Sequence, residues 1–82
     1  MKMLDTDKKM SLKSFQLYLT PKEASQFVHD LQELLKDPEA NEHLHVYSDD
    51  YSREISCSLL TDAKLKEISR YTKLEQQVIL EK

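Results

Sequence analysis

No glycine occurs anywhere in this chain of 82 residues. Glycine is the residue that enters left-handed backbone without steric cost. Every turn must therefore be made by residues that carry a Cβ. Two-residue hairpins of the primed types need positive φ and are disfavoured here. Turns fall instead to Asn, Asp, Ser and Pro, and loops somewhat longer than two residues are expected. The same absence excludes glycine-rich phosphate loops, and with them the dinucleotide and Walker-type nucleotide motifs.

Between these turns the hydrophobic periods define the elements. Met1–Ser11 is polar and without a clear period, and most of it reads as a flexible arm, with a short extended piece as the alternative. Leu12–Leu19 alternates, with Phe15, Leu17 and Leu19 on one face and Ser14, Gln16 and Tyr18 on the other, which predicts a first strand. Thr20-Pro21-Lys22-Glu23 predicts a helix start. Thr20 can accept from the Glu23 amide while Glu23 reaches back to the Thr20 amide, and Pro21 falls where its missing N–H costs nothing. The helix runs to about Lys36. Its stripe is Ala24, Phe27, Val28, Leu31, Leu34 and Leu35. His29 lies opposite and faces solvent. Asp37-Pro38 ends the helix.

After a loop over Pro38–Glu42, a second strand is expected at His43–Tyr47. A polar turn at Ser48–Ser52 and a third strand at Arg53–Leu60 follow. The short link implies an antiparallel hairpin. A helix is expected near Asp62–Ser69. Thr72-Lys73-Leu74-Glu75 reads as a second capping box, opening a helix near Lys73–Leu80; one bent helix is the alternative. The predicted fold is a single α+β domain over residues 12–82, of order β-α-β-β-α-α. It is a two-layer sandwich in which helix covers one face of a three-stranded sheet.

Charge and cysteine usage narrow the function classes. The formal net charge is −3 and no basic run stands out, so nucleic acid is a poor partner. No apolar run approaches the roughly 18–20 residues that span a bilayer. The start, Met1–Asp7, has no apolar signal-peptide core. A single cysteine, Cys57, cannot form an internal disulfide, and a reducing, cytoplasmic setting fits. Cys57 shares the apolar face of Ile55 and Leu59, as a small core residue would.

The chemistry gathers at His43-Leu44-His45-Val46-Tyr47-Ser48-Asp49-Asp50. Alternation puts Leu44 and Val46 on the core side and His43, His45 and Tyr47 on the open side. His43 and His45 are the candidate zinc ligands, with Asp49, Asp50 or Glu54 to complete a site. Acid–base catalysis by the histidines with Tyr47 and Glu54 is the alternative use, but an open sheet on so short a chain offers little enclosure, and catalysis benefits from a dry, preorganised pocket. Six carboxylates lie between Asp37 and Glu54 against Arg53 alone. Such a surplus steers basic protein partners. Tyr18, Tyr47 and Tyr51 add residues enriched at interfaces. The candidate partner surface is Tyr18, His43, His45, Tyr47, Asp49, Asp50, Tyr51 and Glu54. Open strand edges also predict a homodimer.

The run Leu17-Tyr18-Leu19-Thr20-Pro21-Lys22-Glu23-Ala24, with His43-x-His45-Val46 and Arg53-Glu54-Ile55, resembles small bacterial immunity proteins of polymorphic toxin systems. The resemblance spans most of Phe15–Leu80. It implies an α+β protein that binds and neutralises a toxin, and it transfers no catalytic residue. The reading is a non-enzymatic binding protein. A small metal-binding protein and a self-associating structural module are the alternatives.

Overall fold

In a computed structural model describing residues 1–82, the capping box at Thr20 forms as the sequence predicts. Thr20 is extended (φ −68°, ψ 159°), and its Oγ1 accepts from the Glu23 amide at 3.1 Å. Glu23 Oε1 accepts from the Thr20 amide at 2.9 Å. Helix α1 follows over Pro21–Lys36 and stops at Asp37, before Pro38. Strands β3 (Leu44–Tyr47) and β4 (Glu54–Cys57) form the expected antiparallel hairpin, in the register Leu44↔Cys57, His45↔Ser56, Val46↔Ile55 and Tyr47↔Glu54. Helix α1 packs on β3. Leu34 and Val46 are buried, at 3% and 4% exposure. These elements belong to one compact unit, Tyr18–Leu65.

The second unit joins the chain's two ends, Met1–Leu17 and Lys66–Lys82. Strands β1 (Met3–Asp5) and β2 (Met10–Leu12) pair antiparallel within it. Helix α2 (Asp62–Lys66) leads across the boundary to a 3₁₀ turn at Ile68–Arg70 and then to α3 (Lys73–Leu80). Helix α3 opens on the expected box: Thr72 Oγ1 accepts from the Glu75 amide, and Glu75 from the Thr72 amide. Helix α3 packs on β1, and Val78 is 6% exposed. Ser11 Oγ donates to Glu81 Oε1 at 2.5 Å, and Lys2 Nζ donates to the Glu81 carbonyl. The hairpin is thus tied to the end of α3.

The α+β class holds, but the sheet does not have three strands. Two separate two-stranded sheets form instead. Leu12–Leu19, expected as the first strand, contributes only Leu12 to β2, and residues 14–20 adopt no helix or strand. Phe15, Leu17 and Leu19, expected in the core, are 52%, 45% and 40% exposed. Alternation assigns faces but not a partner. Met10–Leu12 pairs across a four-residue turn with Met3–Asp5, which closes a far shorter loop than a crossover through α1 would.

The arm expected at Met1–Ser11 therefore contains a hairpin, and the domain boundary expected before Leu12 falls inside β2. The signal for this hairpin is Asp5. Its Oδ1 accepts from the Asp7 and Lys8 amides at 3.0 and 2.9 Å, an Asx-type turn. The order becomes β-β-α-β-β-α-α, with the 3₁₀ turn between the last two helices. The missing third strand also explains why the α1 stripe is narrower than predicted. Phe27 and Leu31 are half-buried, whereas Val28 and Leu35 lie at the stripe's margin and are 57% and 63% exposed.

Leu34→Ala is expected to destabilise the protein by about 2–5 kcal/mol, the range for emptying a packed site. Leu17→Ala should cost about 1 kcal/mol or less, as an exposed position does. Urea titration followed by helical circular dichroism checks the contrast. Equal losses would place Leu17 in a core.

Candidate functional site

The β3–β4 hairpin is built around its turn. Tyr51 adopts a left-handed backbone, φ 60°, in a chain without glycine. Asp50 makes that conformation tolerable. Its Oδ1 accepts from Ser48 Oγ at 2.7 Å, Ser52 Oγ at 2.7 Å and the Ser52 amide at 3.0 Å. Ser52's hydroxyl, Ser48's hydroxyl and the Ser52 amide, in that order, hold the Asp50 carboxyl well below the usual carboxylate range. The Arg53 amide donates to Ser48 Oγ, and the Ser48 amide to the Arg53 carbonyl. Asp49 and Asp50 are exposed, as the sequence predicts. They are also structural.

Asp49 connects the turn to α1. Its amide donates to Glu23 Oε2 at 2.7 Å, and Thr20 Oγ1 donates to its Oδ2 at 3.0 Å. One carboxylate, Glu23, thus receives the Thr20 amide on one oxygen and the Asp49 amide on the other. The Thr20 and Asp49 amides lower the Glu23 pKa, Thr20 contributing most.

On this frame β3 and the turn present a row of rings. His43 and His45 meet edge to face, with centroids 4.6 Å apart. His45 and Tyr47 stack at 6.3 Å, and Tyr47 and Tyr51 lie tilted at 6.0 Å. All four residues are exposed, Tyr51 at 80%. The period of two predicts the first three. The left-handed turn adds Tyr51 to them. Tyr18, expected on a neighbouring strand, is carried by no strand and is 87% exposed.

His45, Glu54 and Ser56 superficially suggest nucleophilic chemistry, but the bonds say otherwise. His45 Nδ1 lies 2.8 Å from Glu54 Oε1 and 3.0 Å from Ser56 Oγ, and Ser56 Oγ lies 3.0 Å from Glu54 Oε1. An ionised glutamate only accepts, so both Nδ1–H and the Ser56 hydroxyl donate to it. The hydroxyl proton is directed at the carboxylate, not at a basic nitrogen. A catalytic relay needs serine and acid on opposite ring nitrogens; here they share one. First His45 and then Ser56 lower the Glu54 pKa. The register brings these side chains together, because His45 sits opposite Ser56 in a pair where side chains approach closely.

The zinc ligands expected beside His43 and His45 are not gathered. No group of three or more His, Cys, Asp or Glu side chains converges as a metal ion requires. Glu54 is engaged by His45 Nδ1, Asp49 by Thr20 and Asp50 by its own turn. Cys57 is half-buried on the side facing away from the rings, and burial pushes its thiol pKa up. This fits the small packing residue expected there.

Glu23 and Glu54 are both depressed on folding. Their contribution to stability is therefore fully present above the ordinary glutamate value of about 4.3. It is lost as pH falls through the lower folded values. Thermal midpoints measured between neutral pH and about pH 2 should decline on the acid side. Glu23→Gln should flatten that decline and lower the neutral midpoint. Thr20→Ala should cost about 0.5–2 kcal/mol, as loss of an N-cap does. An unchanged acid limb in Glu23→Gln would remove Glu23 from this role.

No helix is long and apolar enough to cross a membrane. No family model, curated protein or solved structure matches the chain.

Proposed function

We propose that this chain is a non-enzymatic, cytoplasmic protein-binding module that meets its partner with the ring-bearing face of the β3–β4 hairpin. The observation that carries the reading is the continuous row His43, His45, Tyr47 and Tyr51, exposed on a hairpin whose turn is fixed by Asp50 and by Glu23. Tyrosines give large contact area at small entropic cost and keep a polar tip for water or a partner. A rigid support matters because ordering a loose surface on binding would consume affinity. The closed His45–Glu54–Ser56 triangle supports binding over catalysis, since it leaves no activated nucleophile.

The partner class favoured by the resemblance to bacterial immunity proteins is a toxin domain. The acidic turn and loop carry the charge that attracts a basic one.

The experiment is capture on the immobilised chain, with wild type and Tyr47→Ala, Tyr51→Ala and His45→Ala side by side. The ring variants should weaken the captured complex by about 2 kcal/mol or more at the best anchor, roughly 30-fold. Their thermal midpoints should stay close to wild type, because exposed side chains contribute little to folding. Co-expression with the captured partner should then relieve any toxicity the partner shows. Variants that bind as wild type does would remove the face from function.

A further inference from the structure

Strand β3 has one strand neighbour, β4. The Ser48 amide donates to the Arg53 carbonyl, so Ser48 turns its backbone groups toward the β4 side. Antiparallel ladders alternate. Val46 and Leu44 therefore also face β4, while the amides and carbonyls of His45 and Tyr47 face the outer edge; the same alternation carried one residue before β3 puts those of His43 on that side. An open cleft of about 280 Å³ lies at this place, lined by Asp30, Glu33, Leu34, Asn41, His43, Leu44 and His45. Successive strand residues project to opposite faces, so a cleft that touches His43, Leu44 and His45 together wraps the N-terminal end of β3, beside its edge. Its opposite wall is α1, through Asp30 and Glu33.

Charge says what fits there. The Tyr18–Leu65 unit holds ten Asp and Glu against four Lys and Arg, a formal −6. The unit of the two chain ends holds eight basic against five acidic residues, +3, and together they give the −3 of the whole chain. Glu33 pairs with Lys36 at 2.9 Å, and both side chains are more than half exposed. Such surface pairs are worth little and exchange readily. Asp30 takes only the neutral Gln26 amide, at 2.9 Å.

We propose that the outer edge of β3 binds an extended partner segment with Lys or Arg at alternate positions. The segment adds as a third strand to the amides and carbonyls of His43, His45 and Tyr47. Its basic side chains on the α1 side reach Asp30 and Glu33. This goes beyond the ring-face reading and shares with it only that the chain is a binding module. Strand addition draws affinity from the main chain and specificity from alternate side chains. A second copy is the poorer occupant, because two-fold pairing of β3 edges sets one −6 unit against another and leaves Asp30 and Glu33 without cations.

The test uses the full chain, isotopically labelled and titrated with eight-residue peptides in which Val or Thr alternates with Lys or Arg. Peptides with Glu at the basic positions, and peptides N-methylated on alternate amides, serve as comparisons. Amide shifts should centre on His43, His45 and Tyr47. N-methylation on the pairing side should abolish them. Asp30→Asn with Glu33→Gln should weaken binding about tenfold or more, one or two charge-assisted contacts' worth. Circular dichroism confirms that the double variant is folded.

The proposal is overturned if no basic peptide saturates, or if the Glu peptides bind equally well. It is also overturned if the shifts fall on Glu54 and Ser56 of β4, or if the free chain dimerises through the β3 amides. Should the ring variants still weaken a captured partner while no peptide engages β3, the edge proposal falls and the ring-face reading stands. Should the basic peptides bind at β3 while ring variants capture as wild type does, the edge is supported and the ring-face reading falls.

Discussion

The Glu23 carboxylate joins the helix and the hairpin of the larger unit. One oxygen closes the cap of α1, and the other holds the amide of Asp49 in the β3–β4 turn. Thr20 completes the circuit by donating to Asp49. A two-stranded hairpin is marginal by itself in water. Here it is anchored at one end by these charge-assisted bonds, which are stronger than neutral ones, and along its length by Leu34 and Val46. These bonds hold the turn against the start of the helix and favour one register of α1 on β3. The ring face and the cleft wall of Asp30 and Glu33 are fixed by the same contact.

What the sequence discloses is what is decided locally. Both capping boxes lie within four residues, and both form as predicted. The β3–β4 hairpin follows from two alternating runs and a short polar link. The reading fails where pairing is chosen among competitors. Leu12–Leu19 has the cleaner alternation, yet Met10–Leu12 finds its partner nine residues or fewer away in Met3–Asp5. Strands of three residues are too short to show a period, so only Asp5 marks their turn. The bond between Glu23 and Asp49 spans 26 residues and has no local signature.

The candidate site divides in the same way. Period two places His43, His45 and Tyr47 on one face without any structure. The edge cleft needs α1 beside β3, which no pattern within either element states. The charge contrast is hidden for another reason. The positive unit is assembled from the two ends of the chain, so its charge is split in the primary sequence into +2 at one end and +1 at the other. A summed −3 conceals a unit at −6.

Tyr51 raises a question of handedness. At φ 60° its Cβ crowds the following carbonyl, which costs an L-residue about 1–2 kcal/mol. Lys9, at φ 56° in the β1–β2 turn, is in the same position. A glycine at residue 51 would relax the backbone and erase the ring that stands 6.0 Å from Tyr47. Only the mirror-image amino acid would keep the phenol and remove the strain. Position 51 is thus a place where the chirality of the chain opposes its fold, and the turn carries that opposition to hold an aromatic side chain out in water.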